Sequence, residues 1–313
     1  TRKTDRPRPF ALVVLTNMTT NKIIPDFFIV GAPKAGTTAL HAYLDHHPQV
    51  SMSSDKEPNF FSWEEIEAQN LYYTKKNVKT KEEYLALFTS DTETKVFGEG
   101  SISYLFYPKV AERIKAYNPQ AKILISLRHP VKRAFSHYQM DYSLGLVNMP
   151  FKTIWKQGRN HPDSGIFYQQ YFELSMYHPQ VERYLAIFER SSIFLMLHDE
   201  MVQDSEEVIE RLCSFLGIKF IPEMSEIKQQ NVTAAGKNSI IRGLYKNEFL
   251  RKALAAVTGE KVKQLAKQLF FSKSALPSLE KDLETELNDY YKQDLEKLKN
   301  LTGLSINHWI NKN

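Results

Sequence analysis

Short apolar runs alternate with amphipathic stretches along most of the chain. Each run has the length of a buried strand, and the four clearest are 27–30, 95–97, 122–127 and 192–197. Helical spacing of apolar residues follows at 37–46, 108–117, 130–144, 168–189 and 205–216. Strands that alternate with helices predict an α/β fold in which helices flank a parallel sheet.

The C-terminal part has a helical pattern for most of its length. Apolar residues recur there at three- and four-residue spacing, namely at Leu279, Leu283, Leu287, Tyr291, Leu295 and Leu298. Such a stripe is typical of a helix face that packs against a core. We therefore expect a mostly helical C-terminal part that contributes to the core of the domain.

Length and composition favour one large domain. The chain has 313 residues, of which 42% are hydrophobic, and residues 25–313 can bury a substantial core. Residues 1–24 are predicted to be an N-terminal extension or linker. The chain opens on Thr1 and has a methionine at Met18, so residues 1–17 are native, part of a larger polypeptide or added. Their apolar stretch is too short for a membrane span or a signal core.

Charge and cysteine content narrow the function classes. The net charge of +5 suits an anionic ligand without indicating nucleic acid as a partner. The single cysteine, Cys213, cannot form an internal disulfide, so a cytoplasmic location is expected. None of the nine histidines has metal-ligand spacing such as HExxH, and no metal is assigned.

A glycine-containing turn follows the first strand and opens the first helix. It reads Gly31-Ala32-Pro33-Lys34-Ala35-Gly36-Thr37-Thr38. Backbone N–H groups of such a turn, the helix N-terminus and a lysine together form a phosphate cradle. In a nucleoside triphosphatase the lysine follows the second glycine, whereas Lys34 precedes Gly36. This position suits a lysine that bridges a phosphate and its leaving group.

A second anion-binding element is predicted at the end of the strand 122–127. That strand ends in Arg128-His129-Pro130, and Pro130 is well placed to begin a helix that carries Ser136. Ligands of open α/β sheets bind at the carboxyl ends of the strands. Arg128 and Ser136 are therefore expected to converge on one anion.

The two elements together resemble the cofactor loops of sulfotransferases that use 3′-phosphoadenosine 5′-phosphosulfate (PAPS). The resemblance runs from Pro25 to Trp309, and its motif pattern is closest to the heparan-type and bacterial members. It implies a P-loop-like sulfotransferase fold in one domain. It also implies that the first loop holds the 5′-phosphosulfate through Lys34, Ala35, Gly36, Thr37 and Thr38, and that Arg128 and Ser136 hold the 3′-phosphate. Lys237 is a further expected cofactor contact.

Two more segments resemble the acceptor side of this family. Lys56-Glu57-Pro58-Asn59-Phe60-Phe61 is similar to the segment with the catalytic glutamate, which makes Glu57 the expected base and Lys56 and Phe60 expected acceptor contacts. The 98–104 segment looks like a further cleft segment, with Ser101 and Tyr104 as acceptor contacts. Glycan-modifying relatives commonly carry a lysine where this chain has Gly100.

Histidine is the rival base because its pKa lies nearer neutrality. His41 lies on the helix after the first loop, and His137 follows Ser136. Both remain alternatives to Glu57.

The resemblance implies a PAPS-dependent O-sulfotransferase that moves a sulfuryl group to an acceptor hydroxyl by in-line displacement. The acceptor is open among a sugar, a lipid, a carrier-bound hydroxyacyl chain and a small alcohol. One alternative is a nucleoside-triphosphate phosphotransferase, with Asp199 after an apolar run as a magnesium ligand. Another is a nucleotide-binding module without turnover, against which the presence of both Lys34 and Glu57 argues.

Overall fold

A computed structural model describes residues 23–73, 78–224 and 276–311, with the backbone of 235–236 and 271–272. Within these residues, the central sheet has five parallel strands in the order β2-β3-β1-β4-β5. They are β1 (Phe27–Gly31), β2 (Val50–Met52), β3 (Val96–Gly100), β4 (Lys122–Leu127) and β5 (Ile193–Leu197). Ala235–Gly236 and Phe271–Ser272 form a separate antiparallel pair, β6 and β7. The predicted parallel sheet is confirmed, whereas β2 was not predicted.

Helices cover both faces of the sheet. In the part of the chain that the structure describes they are α1 (Thr37–His46), α2 (Trp63–Ala68), α3 (Lys81–Leu85), α4 (Val110–Tyr117), α5 (Pro130–Ser143), α6 (Phe151–Gln157), α7 (Gly165–Tyr171), α8 (Tyr177–Ile187), α9 (His198–Gln203), α10 (Ser205–Leu216), α11 (Lys281–Thr302) and α12 (Asn307–Ile310). Single 3₁₀ turns lie at Glu173–Ser175, Arg190–Ser192 and Pro222–Met224.

Strand β1 divides its side chains between two cores. Phe28 and Val30 pack into the core that also receives α5, α8 and α11, while Phe27 and Ile29 pack into the core beneath α1 and α10. Successive side chains of a strand point to opposite faces, so a strand buried on both faces must be apolar throughout. This explains the uninterrupted apolar run from which the strand was predicted.

The predicted helix over 168–189 is wrong, because the chain breaks there into α7, a 3₁₀ turn and α8. The carboxylate of Asp294 on α11 accepts hydrogen bonds from the backbone N–H groups of Tyr177, at 2.8 Å, and His178, at 3.1 Å. The first N–H groups of a helix have no partner within it, so these bonds stabilise the start of a new helix at Tyr177. Pro179 lies in the same first turn, where its missing N–H costs nothing.

The C-terminal stripe forms part of the core, as predicted. Five of its residues are buried and Leu279 packs against them from the edge, the buried ones being Leu283, Leu287, Tyr291, Leu295 and Leu298. The part of this region at 225–234 and 237–270, which includes Lys237, lies outside the described residues, as do residues 1–22.

The strand order places a crevice between β1 and β4. From β1 the chain proceeds to β2 and β3 on one side, and it then crosses to β4 and β5 on the other. Such a reversal is the point at which open α/β sheets bind ligands, outside the carboxyl ends of the strands. The loop 32–36 and Arg128 follow β1 and β4 directly, and therefore both lie at this edge.

Candidate active site

The loop after β1 turns sharply before α1 begins. Lys34 and Gly36 have positive φ angles of 66° and 86°, and Gly36 is the N-cap of α1 without a side-chain cap. Ser126 of β4 fastens the loop, since its Oγ donates to the Ala35 carbonyl at 2.5 Å and its own carbonyl accepts from Ala32 N at 2.7 Å. The first N–H groups of α1 are left for an external acceptor.

Gly36 is required by space as well as by backbone angle. A Cβ atom built on it would lie 3.1 Å from Cδ2 of His198, the first residue of α9. Glycine adopts the left-handed conformation at no steric cost, whereas a larger residue here would meet the imidazole ring. The absence of a side chain at Gly36 therefore lets the loop pack closely against α9.

Lys34 lies in a crowded group of cations. Its Nζ donates to Sδ of Met140 on α5 at 3.6 Å. Burial lowers the pKa of Lys34, and the nearby charges of Arg128, Arg133 and Lys56 lower it further, while Asp141 opposes them. An anion bound among these groups would relieve their mutual repulsion.

Arg128 completes the cradle from the end of β4. Its guanidinium donates to the Lys34 carbonyl at 3.1 Å, and its own carbonyl accepts from Tyr177 Oη at 2.8 Å. A guanidinium that bonds a neutral carbonyl keeps its full charge available to an anion. Ser136 lies half-buried farther along α5, and Pro130 begins that helix as predicted.

Lys56 joins the acceptor-side segment, residues 56–61, to the phosphate cradle. Its Nζ donates to Oγ1 of Thr38 in the first turn of α1 at 2.7 Å. The same Nζ lies 3.4 Å from Oε1 of Glu57, and both side chains are partly exposed. The structure thus brings Lys56, Glu57 and Thr38 together, although Lys56 and Thr38 are 18 positions apart in sequence.

The acceptor-side segment is held from β3 and the turn after it. Glu57 and Asn59 both have positive φ angles, of 62° and 56°. The N–H of Glu57 donates to the Gly100 carbonyl at 2.9 Å, that of Asn59 to Ser101 Oγ at 3.0 Å, and that of Phe61 to Tyr104 Oη at 3.1 Å. These bonds hold a strained backbone that presents the Glu57 side chain.

Ser101 and Tyr104 lie beneath the segment. Both are 0% exposed, which does not match the acceptor contacts that were predicted for them. Their hydroxyl groups bond the segment's backbone instead. Glu99, also 0% exposed, accepts from Ser101 Oγ and Tyr84 Oη, each at 2.6 Å. Sequence patterns do not reveal which side chains of a strand end point inward, and Glu99 was missed.

Phe60 and Gly100 both pack closely against neighbouring rings. The Phe60 ring stacks on Tyr84 with centroids 4.3 Å apart, so much of this predicted acceptor contact faces the protein.

A Cβ on Gly100 would lie 3.1 Å from Cδ2 of His41. A lysine at this position would therefore require the imidazole to move.

The two rival bases occupy different surroundings. His137 is buried, with Nε2 2.5 Å from Tyr73 Oη and Nδ1 3.1 Å from the Gln170 carbonyl. Burial lowers the pKa of His137 well below its usual value, and the charges of Arg133 and Lys34 add to the effect. Because Tyr73 gives its one phenol proton to Asp141, a neutral ring donates to Tyr73 from Nε2, and its Nδ1 then accepts from the Arg133 guanidinium at 3.3 Å rather than bonding the Gln170 carbonyl. His41 is 9% exposed and packs beside Gly100.

A polar stripe on α5 was not predicted. Arg133, His137 and Asp141 recur at four-residue spacing on its buried face. Asp141 accepts from three phenol groups, those of Tyr72, Tyr73 and Tyr171. Burial raises the pKa of Asp141 to about 6, while the hydrogen bonds and Lys34 lower it. The sequence signal that could have revealed this stripe is the occurrence of charged residues at helical spacing on a face predicted to lie in the core.

Arg133 anchors the same face of α5. It is 0% exposed, and its guanidinium donates to Ser175 Oγ at 2.6 Å and to the carbonyls of Gln170 and Tyr171 at 2.8 and 2.6 Å. A buried guanidinium needs such satisfied donors.

Asp199 does not resemble an open magnesium ligand. Its Oδ2 accepts from Trp309 Nε1 at 2.8 Å and lies 3.3 Å from Nε2 of His308. Within the described ranges, no group of three or more metal-ligand side chains is close enough to hold an ion. No helix in the same part of the chain is both long and apolar enough to cross a bilayer.

Comparison with known proteins identifies the family. Residues 24–302 match the sulfotransferase domain family. A crystal structure of a sulfotransferase from Alicyclobacillus acidocaldarius is 27% identical, has a TM-score of 0.66, and the match covers 92% of this chain and 99% of that one. The chain therefore belongs to the sulfotransferase family, and the resemblance and the fold predicted from the motifs are confirmed.

Curated relatives are longer proteins. Bifunctional heparan sulfate N-deacetylase/N-sulfotransferase 1 of Caenorhabditis briggsae is 25% identical over 230 residues, which are 71% of this chain and 26% of that protein. Membrane-associated sulfotransferase kil1 of Dictyostelium discoideum is 33% identical over 118 residues, which are 38% of this chain and 23% of that protein. The chain thus matches about a quarter of each of these relatives.

Proposed function

We propose that the protein transfers a sulfuryl group from PAPS to a hydroxyl group of an acceptor. The observation that carries this proposal is the position of Lys56, whose ammonium bonds Thr38 of the phosphate cradle and lies 3.4 Å from the Glu57 carboxylate. A base beside an anion cradle is the arrangement that group transfer to a hydroxyl needs.

The cradle fits a phosphosulfate donor in charge and in shape. Lys34 and Arg128 supply positive charge, and the start of α1 supplies N–H donors. We assign the 5′-phosphosulfate to residues 34–38 and the 3′-phosphate to Arg128 and Ser136. Lys237 remains an expected further contact, outside the described residues.

Two side chains carry the chemistry in this proposal. PAPS supplies the sulfuryl group and departs as adenosine 3′,5′-bisphosphate (PAP). Glu57 takes the proton of the acceptor hydroxyl, whose oxygen attacks in line with the bond that breaks. Lys34 holds its positive charge where negative charge develops on the leaving oxygen, which stabilises the transition state more than the bound donor.

The acceptor side is open at Lys56 and Glu57, which are 33% and 27% exposed. Lys56 orients the acceptor or the sulfuryl group, and Phe60 contributes the edge of its ring. Ser101 and Tyr104 act from beneath by fixing the backbone of residues 56–61. A sugar, a lipid, a carrier-bound hydroxyacyl chain and a small alcohol all remain candidates. The name of the Caenorhabditis briggsae relative favours a sugar, although it specifies transfer to nitrogen, whereas Gly100 in place of a lysine disfavours a polyanionic sugar.

We further propose a cytoplasmic location. Its support is Cys213, which is buried and free in the part of the chain described, and which has no second cysteine to pair with.

Two measurements test the proposed function. Calorimetry with PAP, and separately with ATP and magnesium, identifies the nucleotide, and tighter binding of PAP is expected. Transfer of ³⁵S from labelled PAPS is then followed across heparosan oligosaccharides, a long-chain alcohol, a hydroxyacyl thioester and 2-naphthol. PAP binding without transfer to any acceptor would favour a nucleotide-binding module. Tighter binding of ATP would favour a phosphotransferase.

A further inference from the structure

Asp141 holds two separate parts of the chain through one buried carboxylate. The residue is 0% exposed on α5. Tyr72 donates to its Oδ2 at 2.6 Å and Tyr73 to its Oδ1 at 2.8 Å, both from the segment after α2. Tyr171, at the end of α7, donates to Oδ2 at 2.8 Å. Hydrogen bonds to a charged acceptor are about twice as strong as neutral ones.

The Tyr72–Tyr73 segment belongs to the acceptor side of the crevice. The chain leaves the acceptor-side segment, passes through α2 and reaches these two tyrosines. It then returns to its own start, because Val78 N donates to the Pro58 carbonyl at 3.0 Å. Pro58 adjoins Glu57, so the chain makes a contact beside the proposed base at Val78, on the far side of residues 74–77, which lie outside the described residues.

The helix that carries Asp141 belongs to the donor side. Ser136 lies on it, and Met140, the residue before Asp141, accepts the hydrogen bond of the Lys34 ammonium. His137 on the same helix also contacts Tyr73, with Nε2 2.5 Å from Oη. The carboxylate therefore connects the donor helix to the acceptor-side chain within one residue of the Lys34 contact.

We propose that Asp141 is a positioning residue, which holds the Tyr72–Tyr73 segment on α5 and thereby fixes Glu57 relative to Lys34. This role rests on the proposed function, since it assigns the base and the lysine to one reaction. The carboxylate itself touches neither reactant. Tyr171, by contrast, ties Asp141 to α7, whose Phe167 ring packs against Tyr72 with centroids 4.8 Å apart, and the Tyr171 hydroxyl itself bonds Asp141 rather than the backbone of residues 56–61.

The phenols provide a matched pair of variants. Tyr72→Phe combined with Tyr73→Phe removes two bonds to the carboxylate and the contact of Tyr73 with His137, whereas Tyr171→Phe removes a single bond to the same carboxylate. Hydrogen exchange of the unliganded protein reports on the amides of Glu57, Asn59 and Phe61, all of which donate hydrogen bonds. Calorimetry then measures PAP affinity, and ³⁵S transfer to the best acceptor of the panel measures kcat.

The double variant is expected to speed exchange at these three amides at least tenfold and to lower kcat about 10- to 100-fold. Its PAP affinity should stay within twofold. Tyr171→Phe should leave both exchange and kcat within twofold of the wild type. Asp141→Asn should also speed exchange at the three amides, but it removes a negative charge that acts on Lys34, so the phenol variants, which keep that charge, decide the test.

The proposal is overturned if Tyr171→Phe lowers kcat as much as the double variant, or if exchange at the three amides does not change in the double variant. A loss of PAP affinity equal to the loss of kcat would likewise show that Asp141 stabilises the fold as a whole and does not position Glu57. If the wild type neither binds PAP nor transfers sulfate, the proposed function fails. The exchange comparison then still tests whether Asp141 holds the acceptor-side segment.

Discussion

Replacing Arg128 by alanine tests the nucleotide assignment most directly. The guanidinium has two roles in the site, which different ligands separate. It bonds the Lys34 carbonyl at 3.1 Å and so supports the loop for any nucleotide that has a 5′-phosphate. In our assignment it also bonds the 3′-phosphate, which PAP has and adenosine 5′-phosphate lacks.

The two roles differ in which nucleotides they affect. The bond from the charged guanidinium to the Lys34 carbonyl supports the loop, so its loss should weaken both nucleotides by the same factor. A bond to a charged phosphate contributes about 1.5–3 kcal/mol, so Arg128→Ala should weaken PAP by a further factor of about 10 to 150. The preference for PAP over adenosine 5′-phosphate should therefore fall by that second factor.

Calorimetric titration of both nucleotides against wild type and variant gives this ratio. Arg190→Ala is the matched control. Arg190 lies in the turn before β5, and its guanidinium also donates to one carbonyl, that of Ile193, at 2.9 Å. The control should change neither affinity by more than twofold. Equal losses for the two nucleotides in Arg128→Ala would refute the assignment of the 3′-phosphate to this residue.

Three further predictions concern the base, the lysine and stability. Glu57→Gln should lower the rate of single-turnover ³⁵S transfer by a factor of about 10²–10⁴ with PAP affinity unchanged. His41→Ala and His137→Ala should lower this rate much less. A reversed order of losses would make a histidine the base. Lys34→Ala should depress the chemical step more than PAP binding, because charge on the leaving oxygen develops in the transition state; equal effects in rapid-quench and calorimetric measurements would contradict this. Burial raises the pKa of Asp294 to about 6 from its ordinary value of 3.8. The folded state therefore binds more protons between pH 4 and 6, so this group's contribution to stability falls as pH rises. Relative to Asp294→Asn, the wild type should lose about 2 kcal/mol in urea unfolding between pH 4 and 7, and a pH-independent difference would contradict the stated cause.

The donor side could be predicted from the sequence because its parts are contiguous. The loop 31–38 directly joins a strand to a helix, and Arg128 directly follows another strand, so local pattern places both at the sheet edge. Strand β2 could not be predicted in the same way. It has three residues, and its place in the sheet depends on pairing with β3 rather than on its own pattern.

The supporting residues of the site depend on tertiary contacts. Glu99 lies 15 positions from Tyr84, and Asp141 lies 69 positions from Tyr72 and 30 from Tyr171. No local pattern specifies such partners, and an isolated acidic residue in a sequence indicates a solvated surface more often than a buried acceptor. Ser101 shows the same limit, since its polar side chain indicated a cleft but points inward.

The C-terminal helix α11 is connected to Arg128, the proposed 3′-phosphate contact, through two hydrogen bonds. Asp294 caps α8 at Tyr177, and the Tyr177 hydroxyl donates to the Arg128 carbonyl. The Asp294 carboxylate thus reaches the backbone of Arg128 through one intermediate residue, and a change at this position of α11 should be felt at the end of β4 without any contact between α11 and a bound ligand.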